Sequence, residues 1–111
     1  MGIRQFEVWL ANLEPAIGTE PGKTRPVVIV QTDLLNGIHP STLICPVSTN
    51  VNKQAELLRV HLKKGMLDHA SDILVDQLRA IDNRRLIKRL GKIPAAQAEK
   101  LRSNMRVLLD L

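Results

Sequence analysis

Gly18-Thr19-Glu20-Pro21-Gly22-Lys23-Thr24-Arg25-Pro26 runs directly into the apolar stretch Val27-Val28-Ile29-Val30. Pro26 lacks an N–H and presses Arg25 toward an extended backbone. Arg25 is therefore launched where a glycine-containing loop meets rigid scaffold, a position suited to holding an anion. A polar counterpart ends a second apolar run, Leu43-Ile44-Cys45-Pro46-Val47, which passes into Ser48-Thr49-Asn50. A guanidinium forks onto two phosphate oxygens, and a threonine hydroxyl can donate to a third. Together they would stabilise charge building on a phosphoryl group. Spacing alone leaves a second reading open: a surface ion pair for Arg25, for instance with Glu20, and plain turn chemistry for Ser48-Thr49-Asn50.

Other chemistries find little support. His39, His61 and His69 are single and widely spaced, without His-x-x-x-His or Cys-x-x-Cys patterns, so neither a metal site nor a cofactor is expected. The glycine loop has no Gly-x-x-x-x-Gly-Lys-Ser/Thr pattern and leads into a strand, so it is no phosphate-cradling P-loop. No Gly-x-Ser-x-Gly elbow occurs. The single cysteine, Cys45, sits in an apolar run and reads as a small buried hydrophobe.

These groups need a scaffold. A chain of 111 residues is about one domain, spanning 1–111, with one modest core, so association with a second copy is a natural way to bury more surface. Hydrophobic residues make up 44% and charged residues 24%, the profile of a globular protein rather than a disordered one. Phe6 and Trp9 are the two aromatics, so the core must be built from Val, Ile and Leu, and base-stacking platforms cannot be numerous. The net charge of +5 is unevenly placed. Residues 1–78 carry net −1, whereas residues 79–106 carry 9 basic groups against Asp82 and Glu99. Such a segment attracts polyanions, nucleic acid first, although a solvated basic face accounts for it equally well. Met1–Leu10 lacks the apolar region of a signal peptide, and no run approaches the roughly 18 apolar residues of a membrane span. A cytoplasmic location without membrane contact is expected.

Phe6 to Leu13 reads as a strand, with Phe6, Val8 and Leu10 on one side and Trp9, Ala11 and Leu13 on the other. A loop, Glu14 to Thr24, follows. Pro26 to Gln31 has the β-branched composition of a buried strand. Asp33 to Pro40 is a polar connection. Thr42 to Val47 is a third strand whose Pro46 marks an edge or a bulge, and Leu57 to Leu62 a fourth. Ser71 to Asp82 is ambiguous: Leu74, Leu78 and Ile81 fit helical spacing, while Ile73, Val75 and Gln77 fit a strand. Arg85 to Leu90 is a short strand or turn closed by Gly91. Pro94 suits the first turn of a C-terminal helix, whose apolar stripe is Ala98, Leu101, Met105 and Leu108. Many short strands followed by one helix describe a small, mainly β, barrel-like domain.

Val8-Trp9, Leu13-x-Pro15, Gly18-x-Glu20-x-Gly22-x-x-Arg25-Pro26-Val27-Val28-Ile29-Val30, the strand ending at Thr49, and Asp76-Gln77-Leu78-Arg79-Ala80-Ile81-Asp82 with Arg85-Leu86 resemble the MazF/PemK (Kid) family of toxins. The similarity covers nearly the whole chain, in the family's order and spacing. It implies an SH3-like, CcdB-like β-barrel (α+β) with a C-terminal α-helix, and makes Ser71 to Asp82 a strand. It also implies a metal-independent endoribonuclease that cuts single-stranded mRNA at a short sequence, a homodimer, and inhibition by a cognate MazE-like antitoxin with an acidic, disordered tail. Arg25 matches the family's catalytic arginine and Thr49 its catalytic threonine. Glu20, Gln77 and Arg79 match motif positions near the RNA groove, and Asp76 or Arg79 matches an acid–base pair described in some members.

Two rivals belong to other classes. A CcdB-like toxin shares the small barrel but binds DNA gyrase without nuclease activity, and needs no phosphate clamp. The other is a non-catalytic basic RNA- or DNA-binding barrel.

Overall fold

Apolar residues follow one another through Val8–Ala11 and Val27–Ile29 of the first two strands, so both faces are buried there, and this places the strands inside the sheet. The computed structural model describes residues 2–15, 17–19 and 23–111. The strands are β1 (Glu7–Asn12), β2 (Thr24–Ile29), β3 (Ser41–Ser48), β4 (Arg59–Leu62), β5 (Ser71–Leu74), β6 (Arg79–Asp82) and β7 (Leu86–Lys92), followed by the helix α1 (Ala95–Leu109). They form one antiparallel sheet in the order β4-β5-β3-β2-β1-β7, with β6 pairing β3 off this path. It is a curved, barrel-like sheet whose β4 and β7 ends are not joined to each other. No helix among the described residues is long and apolar enough to cross a membrane.

The sheet has a core on each face. Phe6, Val8, Val28, Cys45, Val47, Val60 and Ile73 pack with Ile93, Ala98 and Leu101, so α1 covers this side. Trp9, Ala11, Leu13, Val27, Ile29, Ile44, Ile81 and Leu86 form the other. The expected two-sided reading of β1 therefore holds, and so does the buried β2. Along α1, Ala98 and Leu101 are buried and Met105 packs on the core, but Leu108 faces outward; Asn104 is buried instead and donates to the carbonyls of Glu56 and Arg59 at 3.1 and 3.4 Å.

The expected single strand over Ser71 to Asp82 is corrected. Both ends pair with β3, Ile44 with Arg79 and Val47 with Ile73. Those pairs span three residue steps on β3 and six on its partner. The surplus loops out as a 3-10 turn, Val75–Gln77, which buries Val75 and exposes Asp76. Pro46 lies at this interruption, so it marks a bulge in a central strand, where the ladder is broken anyway.

Two smaller corrections concern strand ends. β4 begins at Arg59, two residues later than expected, because Leu57 and Leu58 belong to the preceding turn. Gly91 does not close β7 but lies inside it, at a register shift where Val8 faces Gly91 and Trp9 faces Arg89. A Cβ on Gly91 would stand 2.5 Å from the Met66 sulfur, so glycine here lets the loop before β5 rest on the sheet.

A buried carboxylate ties β7 to β1. Glu7, 6% exposed, accepts from the Trp9 indole at 3.1 Å, the Arg4 amide at 2.8 Å and Arg89 Nε at 2.5 Å. Burial raises its pKa, but these three donors outweigh burial and the group titrates below its ordinary value of 4.5.

Leu101→Ala should lower unfolding free energy by about 2–5 kcal/mol, because the side chain is fully buried beneath α1; urea denaturation measures it. Because the folded pKa of Glu7 lies below the unfolded one, its ionised form stabilises the protein above about pH 4.5, and that contribution is lost as pH falls through the folded value. The stability gap between wild type and Glu7→Gln should thus be full near pH 7 and shrink toward pH 3. A gap independent of pH would refute the assignment.

Candidate active site

The loop before β2 has a defined neck. The Leu13 amide donates to the Lys23 carbonyl at 2.8 Å, and the Lys23 amide donates to the Glu14 carboxylate. Lys23 adopts a left-handed φ of 64° to make this return. Arg85 Nη1 braces the same neck by donating to the carbonyls of Asn12, at 3.1 Å, and Glu14. Beyond the neck, Thr24 and Arg25 pair with Asn12 and Ala11, so Arg25 rises from a strand already anchored in the sheet.

Thr49 arrives from the neighbouring strand. β3 pairs with β2 through Val27–Pro46, Val28–Cys45 and Ile29–Ile44 and ends at Ser48. Arg25 and Thr49 line one cleft of about 250 Å³, with Lys23, Thr24, Pro26 and Val47. Pro26, Val47 and Thr49 also border a second cleft of about 370 Å³, whose far wall includes Met66, Leu67 and Leu90 and whose polar lining includes Asp68, His69 and Ser71. The two clefts thus form one groove with Thr49 at its junction. Arg25 is half-buried and Thr49 exposed, the arrangement of a cation held by its stem and a hydroxyl offered to a ligand.

The other sequence candidates lie elsewhere. Asp76 and Gln77 are on the 3-10 turn and Arg79 begins β6, on the opposite flank of β3 from Arg25. None of the three lines the two clefts around Thr49. Strand alternation nevertheless puts Arg25 with Val27 and Ile29, and Arg79 with Ile81, so both arginines emerge on the same face of the sheet. Glu20 lies outside the described residues. Asp76 also acts inward: burial, and then its charge, push the Cys45 thiol up to about 12, which agrees with the inert, buried reading of that cysteine.

Two titratable groups of the groove, Asp68 and His69, escaped the sequence pattern, since nothing local distinguishes them from surface residues. The basic surplus after residue 78 falls on β6, the 3-10 turn Asn83–Arg85, β7 and α1. Much of it faces internal partners: Arg84 with Asp82 at 3.0 Å, Arg89 with Glu7, Lys100 with Glu56 at 3.6 Å, and Arg102 with Glu99 at 3.6 Å. Arg102 also lies 4.7 Å over the Phe6 ring.

Residues 4–109 match the model of the PemK-like, MazF-like toxin of type II toxin–antitoxin systems. The chain is 39% identical to the endoribonuclease MazF of Staphylococcus epidermidis over 111 residues, 98% of this chain and 92% of that protein. Its fold superposes with a TM-score of 0.84 on MazF from Deinococcus radiodurans, at 24% identity over 98% of this chain and 97% of the other. It superposes with a TM-score of 0.82 on a mycobacterial endoribonuclease in complex with its cognate antitoxin, at 15% identity over 99% and 97%. With a family match across nearly its whole length, the chain belongs to the PemK-like, MazF-like toxins of type II toxin–antitoxin systems.

Proposed function

We propose that this chain is the endoribonuclease toxin of its module and that Arg25 and Thr49 stabilise the transferring phosphoryl group. The observation that carries the reading is their meeting in one cleft at the neighbouring ends of β2 and β3, in a chain 39% identical to an endoribonuclease. The nucleophile is the 2′-OH of the RNA. Its oxygen bonds to the adjacent phosphorus, the P–O5′ bond breaks, the leaving 5′-oxygen takes a proton from solvent, and the products are a 2′,3′-cyclic phosphate and a 5′-OH. Charge gathers on the non-bridging oxygens in the transition state. The Arg25 guanidinium clamps it and the Thr49 hydroxyl donates to it, both from fixed strand ends. Arginine remains protonated in proteins, so Arg25 is not the base. We assign the proton of the 2′-OH to a titratable group of Thr49's own cleft, Asp68 or His69, ahead of Asp76, which lines neither cleft.

The reading extends to partners. A relative in the same fold is complexed with its antitoxin, and a cleft lined by Lys23 and Arg25 suits an acidic, disordered antitoxin tail as well as single-stranded RNA. Homodimer formation is supported by apolar groups left exposed by the 32–40 turn and β3, Leu34, Ile38 and Leu43. We place the protein in the cytoplasm, where its RNA substrate is.

Purified protein should cut a mixed-sequence RNA in EDTA and leave the all-deoxyribose oligonucleotide intact. Failure to cut RNA would favour a gyrase-binding toxin or a non-catalytic barrel. Arg25→Ala should keep its fold by circular dichroism and lose about 10²–10³-fold or more in cleavage rate; near-normal cutting would remove Arg25 from the mechanism. RNA affinity, measured with an uncleavable 2′-deoxy analogue, should fall linearly in log K against log salt, with the slope counting phosphate contacts. A flat plot would exclude those contacts.

A further inference from the structure

We propose that Asp72 and Arg59 are positioning residues for Thr49, holding the loop that carries it from a cleft separate from the groove. The inference rests on the assignment of Thr49 to the reaction. Thr49 lies one residue beyond the end of β3, on a turn whose first bond is local: the Asn50 amide donates to the Ser48 hydroxyl at 3.1 Å. Beyond that, the turn is held by two long-range bonds. Arg59 Nη1 donates to the Asn50 carbonyl at 2.5 Å, and the Asn52 amide donates to Asp72 Oδ2 at 2.8 Å. The two anchors are themselves joined, Arg59 Nη1 to Asp72 Oδ2 at 3.3 Å. The chain just after Thr49 is thus gripped on both sides of Val51 by one ion pair.

Asp72 is placed to do this by register. From β5 it stands opposite Ser48 on β3 and His61 on β4. Its side chain is 2% exposed, and its second oxygen, Oδ1, lies 3.3 Å from His61 Nδ1. A buried carboxylate is costly and weak evidence for stability, because apolar residues of similar size often serve as well. Here both oxygens are used, one of them on the backbone of the turn that follows Thr49. The adjacent residue, Ser71, lines the groove with Thr49, whereas Asp72 and Arg59 border a different cleft with Lys100 of α1. The pair therefore acts on the groove through Thr49, without lining it.

A double-mutant cycle on cleavage of one RNA oligonucleotide tests this. Arg59→Ala should lower kcat by about 10–100-fold while KM changes less than about threefold, since geometry rather than substrate contact is lost. In a Thr49→Ala background the same change should alter kcat by less than about threefold, because the group being positioned is already gone. Asp72→Asn keeps an oxygen for the Asn52 amide and should retain more activity than Asp72→Ala. Should Arg59→Ala not fold, Arg59→Lys, which keeps the charge and loses the planar fork, replaces it in the cycle. Losses that multiply independently, or an Arg59 variant with normal kcat, would overturn the proposal. A wild type that cuts no RNA would instead overturn the endoribonuclease reading. The positioning claim is then decided by NMR: displaced Thr49 resonances and faster exchange of the Asn52 amide in the Arg59 variant support it, and unchanged ones refute it.

Discussion

Strand β3 is paired along both edges, and its two partners disagree in length. On one side β2 runs opposite Ile44, Cys45 and Pro46 without interruption. On the other, β6 and β5 together bring three residues too many to the same stretch. The ladder closes because the surplus leaves the sheet as the Val75–Gln77 turn at the level of Pro46. The candidate site inherits its geometry from this arrangement. The end of β3 at Ser48 sets where Thr49 emerges, and the β2 register sets how far Arg25 stands from it. A one-residue slip of β2 would transfer Arg25 to the α1-covered face and bring Val28 out of its core.

That constraint also explains the division of labour among the charged groups. Strand alternation puts Arg25 and Arg79 on one face of the sheet. Arg85 is used inward, on the carbonyls of the loop neck, and Arg59 on the turn after Thr49. Arg89 is used on Glu7, where it secures the β7 edge. The positive surplus of the C-terminal third is therefore largely engaged within the fold. A good share of it fixes backbone, which arginine does well because its planar fork serves several acceptors at once.

Much of this was legible in the residues, and what was hidden has a common physical cause. The β-branched run after Pro26 and the helical stripe through Ala98 and Leu101 are local patterns, and both elements are where the pattern puts them. The position of Arg25 at the mouth of a buried strand follows from Pro26 alone. Ser71 to Asp82 carried two periodicities because it is two strands around a 3-10 turn: Ile73 obeys the strand, while Leu74, Leu78 and Ile81 fall at helical spacing across the break. Gly91 looked like a terminator because its real reason, the approach of Met66, comes from 25 residues away. Asp72 reads locally as a solvated acid beside Ser71; its burial exists only once β3 and β4 flank it. Asp68 and His69 join Thr49 through a loop whose path depends on that same Met66 contact.

A hydrolase that supplies its own nucleophile must hold that group, its base and an orienting partner in mutual hydrogen-bond reach, which asks for several second-layer contacts. When the substrate's 2′-OH attacks, the protein has fewer things to hold: donors aimed at the developing charge, and a proton acceptor nearby. Two strand ends in register supply the donors at little structural cost, since the sheet fixes their spacing for reasons of its own. What the sheet does not fix is the residue just past a strand end, where backbone hydrogen bonding stops. Thr49 stands there, and Arg59 with the buried Asp72 carboxylate bonds to the turn that follows it. A costly buried charge at that one place is what a site built on strand ends would require.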